Sequence, residues 1–141
     1  MHSRHTSRRD FLKTSAATVG GLALASQLSI ARMAHAAGSD VLRVALIGSG
    51  GRGTGAASDC LQADEGTRLV AIADAFENRA RSAAKSLRQR FPDRANVPDD
   101  RVFFGLDSFQ KAIDAGVDLV VTATPPGFRP MIYMDAIKAG K

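Results

Sequence analysis

A chain of 141 residues has room for one domain. Its formal charge of +5 belongs to the leader: residues 1–36 carry Arg4, Arg8, Arg9, Lys13 and Arg32 against Asp10, and the remainder carries fourteen basic and thirteen acidic side chains. That near-neutral remainder has no electrostatic footprint for DNA, RNA or an anionic membrane, and a single cysteine, Cys60, excludes an intrachain disulfide.

In the leader, Ser7-Arg8-Arg9-Asp10-Phe11-Leu12-Lys13 looks like a twin-arginine export signal and matches S-R-R-x-F-L-K throughout. Ala16 to Ile30 follows as a modestly apolar segment interrupted by Gly20, Gly21, Ser26 and Gln27, too short and too rich in small residues for a membrane span. Ala34-His35-Ala36 supplies an A-x-A cut site, which predicts a signal peptide over residues 1–36 and Ala37 as the mature N-terminus. The Tat export machinery is then a partner and the periplasm the destination; an uncleaved signal acting as a membrane anchor is the alternative. That route carries folded proteins, so a nucleotide made in the cytoplasm would be loaded before export.

Residues 37–141 read as one nucleotide-binding domain. Val41, Leu42, Val44, Ala45, Leu46 and Ile47 form a nearly unbroken apolar run, the pattern of a strand covered on both faces. Gly48, Gly50 and Gly53 follow as G-x-G-x-x-G. In a dinucleotide-binding turn the first glycine permits a tight bend, the second lets backbone approach the pyrophosphate, and the third lets the next helix pack close. Phosphates rest on free N–H groups at the helix N-terminus, here with Ser49, Gly51 and Arg52 presenting N–H groups or side chains. A helix is expected from about Thr54 to Ala63, with Ala56, Ala57, Cys60 and Leu61 as its apolar face. Cys60, mid-helix with no base nearby in sequence, reads as a packing residue.

A second strand, about Thr67 to Ala73, ends at Asp74, 21 positions beyond Gly53. An acid about 20 residues past the glycine motif is expected to bind the adenosine ribose, here through hydrogen bonds from both hydroxyls. A charged helix over about Glu77 to Arg90 carries Ala80, Ala84, Leu87 and Phe91 as its buried stripe. Its basic residues read as a solvated face, except that Arg79, just past Asp74, is placed to reach the adenine or a 2′-phosphate. Pro92 stops this helix.

A short third strand is expected over Arg101 to Phe104, then a helix capped by Asp107 or Ser108 and running to about Ala115. Val117 to Ala123 reads as a fourth, central strand, broken by Thr124-Pro125-Pro126-Gly127. A last helix, about Arg129 to Ala139, places Ile132, Ala136 and Ala139 on one side. Four alternations of strand and helix imply parallel strands joined by right-handed crossovers, an α/β Rossmann-type doubly wound sheet in three αβα layers. Four strands with exposed edges and an uncovered face would be marginal alone.

Val44–Gly55, Leu69–Asp74 and Val117–Pro126, with Ala136-Ile-Lys-Ala-Gly-Lys141, resemble the N-terminal domain of the glucose–fructose oxidoreductase / inositol dehydrogenase (Gfo/Idh/MocA) family. The resemblance implies a cofactor domain for NAD, with NADP as the alternative, in an oxidoreductase that moves a hydride to or from a sugar, polyol or related alcohol. It places Thr124 and Pro125 beside the cofactor's nicotinamide half and implies a homo-oligomer at full length. The family's proton-transfer lysine lies in a Glu-Lys-Pro motif shortly after the Ala-Gly-Lys stretch. The chain stops at Lys141, before that motif, and so reads as truncated ahead of the substrate domain. Lys141 matches the helix-end lysine; no catalytic residue and no metal ligand is assigned. An NAD-dependent glycosidase of the same superfamily and a non-catalytic nucleotide-binding module are the alternative readings.

Overall fold

The computed structural model describes residues 41–141; the leader readings, including the cut after Ala36, lie outside them. The elements in chain order are β1 (Leu42–Ile47), α1 (Gly51–Ala63), β2 (Thr67–Asp74), α2 (Glu77–Arg90), β3 (Val102–Phe104), α3 (Ser108–Ile113), β4 (Leu119–Thr122) and α4 (Arg129–Lys138). The sheet runs β3-β2-β1-β4 and every pairing is parallel. β1 reaches β2, and β2 reaches β3, through helical crossovers, while the chain passes from β3 through α3 to β4 on the far side of β1, the parallel arrangement expected from the alternation of patterns.

Burial explains why β1 reads as an unbroken apolar run. Val44 and Leu46 enter one core with Ala57 and Leu61 of α1 and Ala80, Ala84 and Leu87 of α2. Ala45 and Ile47 enter the other with Phe109, Ala112 and Ile113 of α3 and Ile132 and Ala136 of α4. Successive side chains of a strand point to opposite faces, so a strand sandwiched between helix layers needs apolar residues at every position. Both faces are therefore covered, contrary to the expectation of an uncovered one. The β1–β2 register steps by one residue after Val44, whose partner is Leu69 while Ala45 pairs with Ala71.

Several boundaries move. Helix α1 begins at Gly51 rather than Thr54, with Gly50 as its N-cap. Helix α3 ends at Ile113, and Asp107 occupies its N-cap without a side-chain cap bond. The Ser108 hydroxyl donates to the Asp74 carbonyl instead (3.2 Å). Strand β4 is not central among the described residues: it pairs with β1 alone there, and Leu119 is 37% exposed. Its apolar run did not fix its place in the sheet, and among the described residues no β4 side chain is fully buried. On α4, Ile132 and Ala136 are buried as expected, but Ala139 lies past the helix and is exposed.

The start of β1 is tied to the approach to β4. Arg43 donates Nε to Asp118 Oδ2 (3.0 Å) and Nη2 to Oδ1 (2.9 Å), and its backbone N–H also donates to Oδ2 (2.9 Å). The Arg43 side chain, followed by its backbone N–H, holds the Asp118 carboxyl at about 2, below its ordinary 3.8. A folded value below the unfolded one stabilises above the ordinary range and loses that contribution as pH falls toward the folded value. The stability difference between the native protein and Asp118→Asn is therefore expected to be constant above pH 4. It should shrink as pH falls from about 4 to 2, which urea titrations across that range would measure. The difference is small, because the pair is partly exposed and screened.

Candidate dinucleotide-binding site

The carboxyl ends of β1, β2 and β4 meet at the glycine turn, and the three motif glycines are needed for three different reasons. Gly48 has φ +86°, and a Cβ there would lie 2.9 Å from the Thr124 backbone nitrogen. Only glycine takes that conformation freely, and only glycine lets β1 turn against the end of β4. Gly50 has an ordinary extended backbone, and a Cβ on it would meet nothing within 4 Å. It faces open space. Gly53 is helical and buried, and a Cβ on it would lie 1.8 Å from the Gly48 carbonyl oxygen. Here the helix backbone rests directly on the turn.

The first helical hydrogen bond of α1 runs from Thr54 N–H to Gly50 C=O (2.9 Å). The N–H groups of Gly51, Arg52 and Gly53 precede it and so lack partners within the helix. The Thr54 hydroxyl closes the turn by donating to the Ser49 carbonyl (3.1 Å).

Asp74, at the end of β2, is 6% exposed. Its Oδ2 accepts from Ser49 N–H (2.7 Å) and the Ser49 hydroxyl (3.1 Å), and its Oδ1 from Phe76 N–H (3.0 Å). A carboxylate offers about four acceptor positions, so one remains open, on Oδ1.

A cleft of about 550 Å³ opens over these strand ends. Gly48, Gly50, Arg52, Asp74, Arg79, Thr124 and Pro125 line it. Ser49 and Gly51 face an adjoining groove between α1 and α2, which Gly50 and Arg79 also border. Gly53 lines neither and sits beneath the turn. The ten residues singled out from sequence thus fall in one neighbourhood, seven of them on the cleft wall. The Arg79 guanidinium lies over the Phe76 ring, 4.8 Å from its centroid.

Sequence reading passed over Phe76, Gly105, Leu106, Ser108, Phe128, Arg129 and Met131, all of which line the cleft. The rule that ligands bind at carboxyl ends of parallel strands would have found Gly105 and Leu106, just past β3. Arg129 carried no signal: its Nε donates to the Thr124 carbonyl (2.8 Å), a contact that exists only once the turn after β4 has formed. Among the described residues no three His, Cys, Asp or Glu side chains come together. Cys60 packs against the core, and burial, followed by the Asp64 carboxylate, pushes its thiol up.

The turn suits a dinucleotide on its own geometry. Clear space stands in front of Gly50, intrahelically unpaired N–H groups open α1, and a fixed acceptor lies beside them. A family model described as "Oxidoreductase family, NAD-binding Rossmann fold" matches residues 42–141. A second, described as a twin-arginine translocation pathway signal sequence, matches residues 5–25. No curated protein matches the chain. No helix among the described residues is long and apolar enough to cross a membrane.

Proposed function

The chain belongs to the Gfo/Idh/MocA oxidoreductase family, and on that premise we propose that residues 37–141 bind NAD as the cofactor domain of an exported sugar or polyol oxidoreductase. The twin-arginine signal directs the protein to the Tat pathway; cleavage after Ala36 then releases the mature enzyme into the periplasm. A nicotinamide held in this cleft would supply hydride transfer to or from the alcohol carbon of the substrate. This chain's part is to hold and orient the dinucleotide. Gly48 and Gly53 shape the turn, Gly50 gives the pyrophosphate clearance, and the N–H groups of Gly51 and Arg52 face its charge. Asp74 accepts from a ribose hydroxyl, and Thr124 and Pro125 border the nicotinamide half. No catalytic group is assigned within these residues.

The observation carrying this reading is the open approach to Gly50 beside the fixed Asp74 carboxylate. The same carboxylate gives the cofactor preference. A 2′-phosphate brought against it in a partly desolvated site costs on the order of a few kcal/mol. Arg79 opposes that cost through its guanidinium, yet it is exposed and able to swing away, whereas Asp74 is buried. NAD⁺ is expected to bind at least about tenfold more tightly than NADP⁺, which needs only ~1.4 kcal/mol. Asp74→Ser should narrow the gap, and Arg79→Ala added to it should widen the gap again. Calorimetry with both dinucleotides on the full-length protein tests this. Equal or tighter NADP⁺ binding by the native protein would mean that Asp74 does not set the choice.

A further inference from the structure

Asp74 is gripped from a distance. Of the three hydrogen bonds to its carboxylate, one is local, from Phe76 N–H to Oδ1. The other two come from a residue 25 positions earlier in the chain, Ser49, and both converge on Oδ2. Ser49 is itself 4% exposed, so its side chain has little water to turn to. A carboxylate has no proton to give; the Ser49 hydroxyl must therefore be the donor, and its single hydrogen is directed at Asp74.

We propose that Ser49 is a positioning residue that acts through Asp74 to set the preference between the two dinucleotides. The inference rests on reading the cleft as a dinucleotide site. Held on both oxygens, the carboxylate cannot turn aside from a 2′-phosphate without breaking buried hydrogen bonds. The hydroxyl, with its hydrogen engaged, has only lone pairs left, and a phosphate oxygen needs donors. A ribose hydroxyl meets neither obstacle, because it can donate to the open position on Oδ1. Rejection of the phosphate then comes from a pair of groups that together offer acceptors alone.

The test is calorimetry with NAD⁺ and NADP⁺ on the full-length protein in four forms: native, Ser49→Ala, Asp74→Ala and the double variant. In the native background, Ser49→Ala takes away one of the two bonds on Oδ2, leaving the backbone N–H, and removes an acceptor-only group, so the ratio of the NADP⁺ to the NAD⁺ dissociation constant should fall at least threefold. In the Asp74→Ala background the hydroxyl regains its hydrogen and can donate to the 2′-phosphate. There Ser49→Ala should weaken NADP⁺ and move the ratio the other way. A role confined to folding would move both dinucleotides together in both backgrounds. A ratio unchanged by Ser49→Ala, or shifted with the same sign in both backgrounds, overturns the proposal. If Ser49→Ala does not fold, Ser49→Cys, of similar size but a weak donor, serves in its place with the same expected signs. Native protein that binds neither dinucleotide overturns the cofactor reading itself. Loss of preference in Asp74→Ala without any in Ser49→Ala overturns only the role given to Ser49.

Discussion

Gly53→Ala is expected to cost about 3 kcal/mol or more of folding stability, a large share of the ~5–15 kcal/mol typical of a domain. Propensity argues the opposite sign: alanine in a helix is favoured over glycine by roughly 1 kcal/mol. The contact decides the outcome. The added Cβ would stand 1.8 Å from the Gly48 carbonyl oxygen and 3.0 Å from its carbon. Both are backbone atoms, so no rotamer change relieves the overlap. Either α1 lifts away from the turn, withdrawing Ala57 and Leu61 from the core they share with Val44 and Leu46, or the turn itself deforms. Gly48 cannot yield easily, since its own Cβ position is already filled by the backbone of Ala123 and Thr124. Urea denaturation of the full-length variant measures the loss. A cost below about 1 kcal/mol would mean that the turn and helix part without penalty, and that the contact does not constrain the fold.

Three residues earlier, the same motif gives the opposite result. Gly50→Val should leave the protein folded and reduce NAD⁺ affinity at least about 100-fold, equivalent to ~2.7 kcal/mol. Its backbone is extended, at φ −65° and ψ −175°, which any residue can adopt, and a Cβ there touches nothing. Valine is a poor N-cap, so a loss of about 1 kcal/mol or less is expected from that position. The two methyl groups would occupy the space across which the pyrophosphate must approach α1. Calorimetry gives the affinity, and a thermal midpoint within a few degrees of the native value establishes that the variant is folded. Unchanged affinity in a folded variant would remove the phosphate role from this turn. Together the two substitutions separate what holds the fold from what holds the ligand, within one four-residue span.

The sequence carried the parts of this architecture that depend on local pattern. Residues 44–47 must be apolar at every position because β1 is clasped by two cores, and such a run is readable without knowing its neighbours. Asp74 was legible because the distance from the glycine motif reflects one helix and one strand, whose lengths vary little. The start of α1 was not legible. Gly51, Gly53 and Gly55 have poor helix propensity, and tertiary packing at Gly53 overrides it. The grip of Ser49 on Asp74, the Arg43–Asp118 pair and the Arg129–Thr124 contact join residues that no periodicity relates. They follow from strand order, and an alternation of helix and strand patterns leaves that order open. The same gap explains β4: its apolar residues pointed to a central strand but could not say on how many sides a neighbouring strand lies, and here they are half-buried or exposed.

Strand order also has a kinetic side. β1 pairs with β2 across a single helix, but its other neighbour arrives much later, with Arg43 and Asp118 separated by 75 positions. Closing the longer loop costs more chain entropy before any contact repays it. The β1-α1-β2 unit is thus expected to form first and β4 to dock after it, bringing Thr124 and Pro125 to the cleft only then. Until then a nucleotide would find the glycine turn and Asp74 but no far wall, and could be held only weakly. Dinucleotide capture becomes a report that β4 has docked. For a protein addressed to a pathway that carries folded cargo, tight binding would mark one step toward readiness for export.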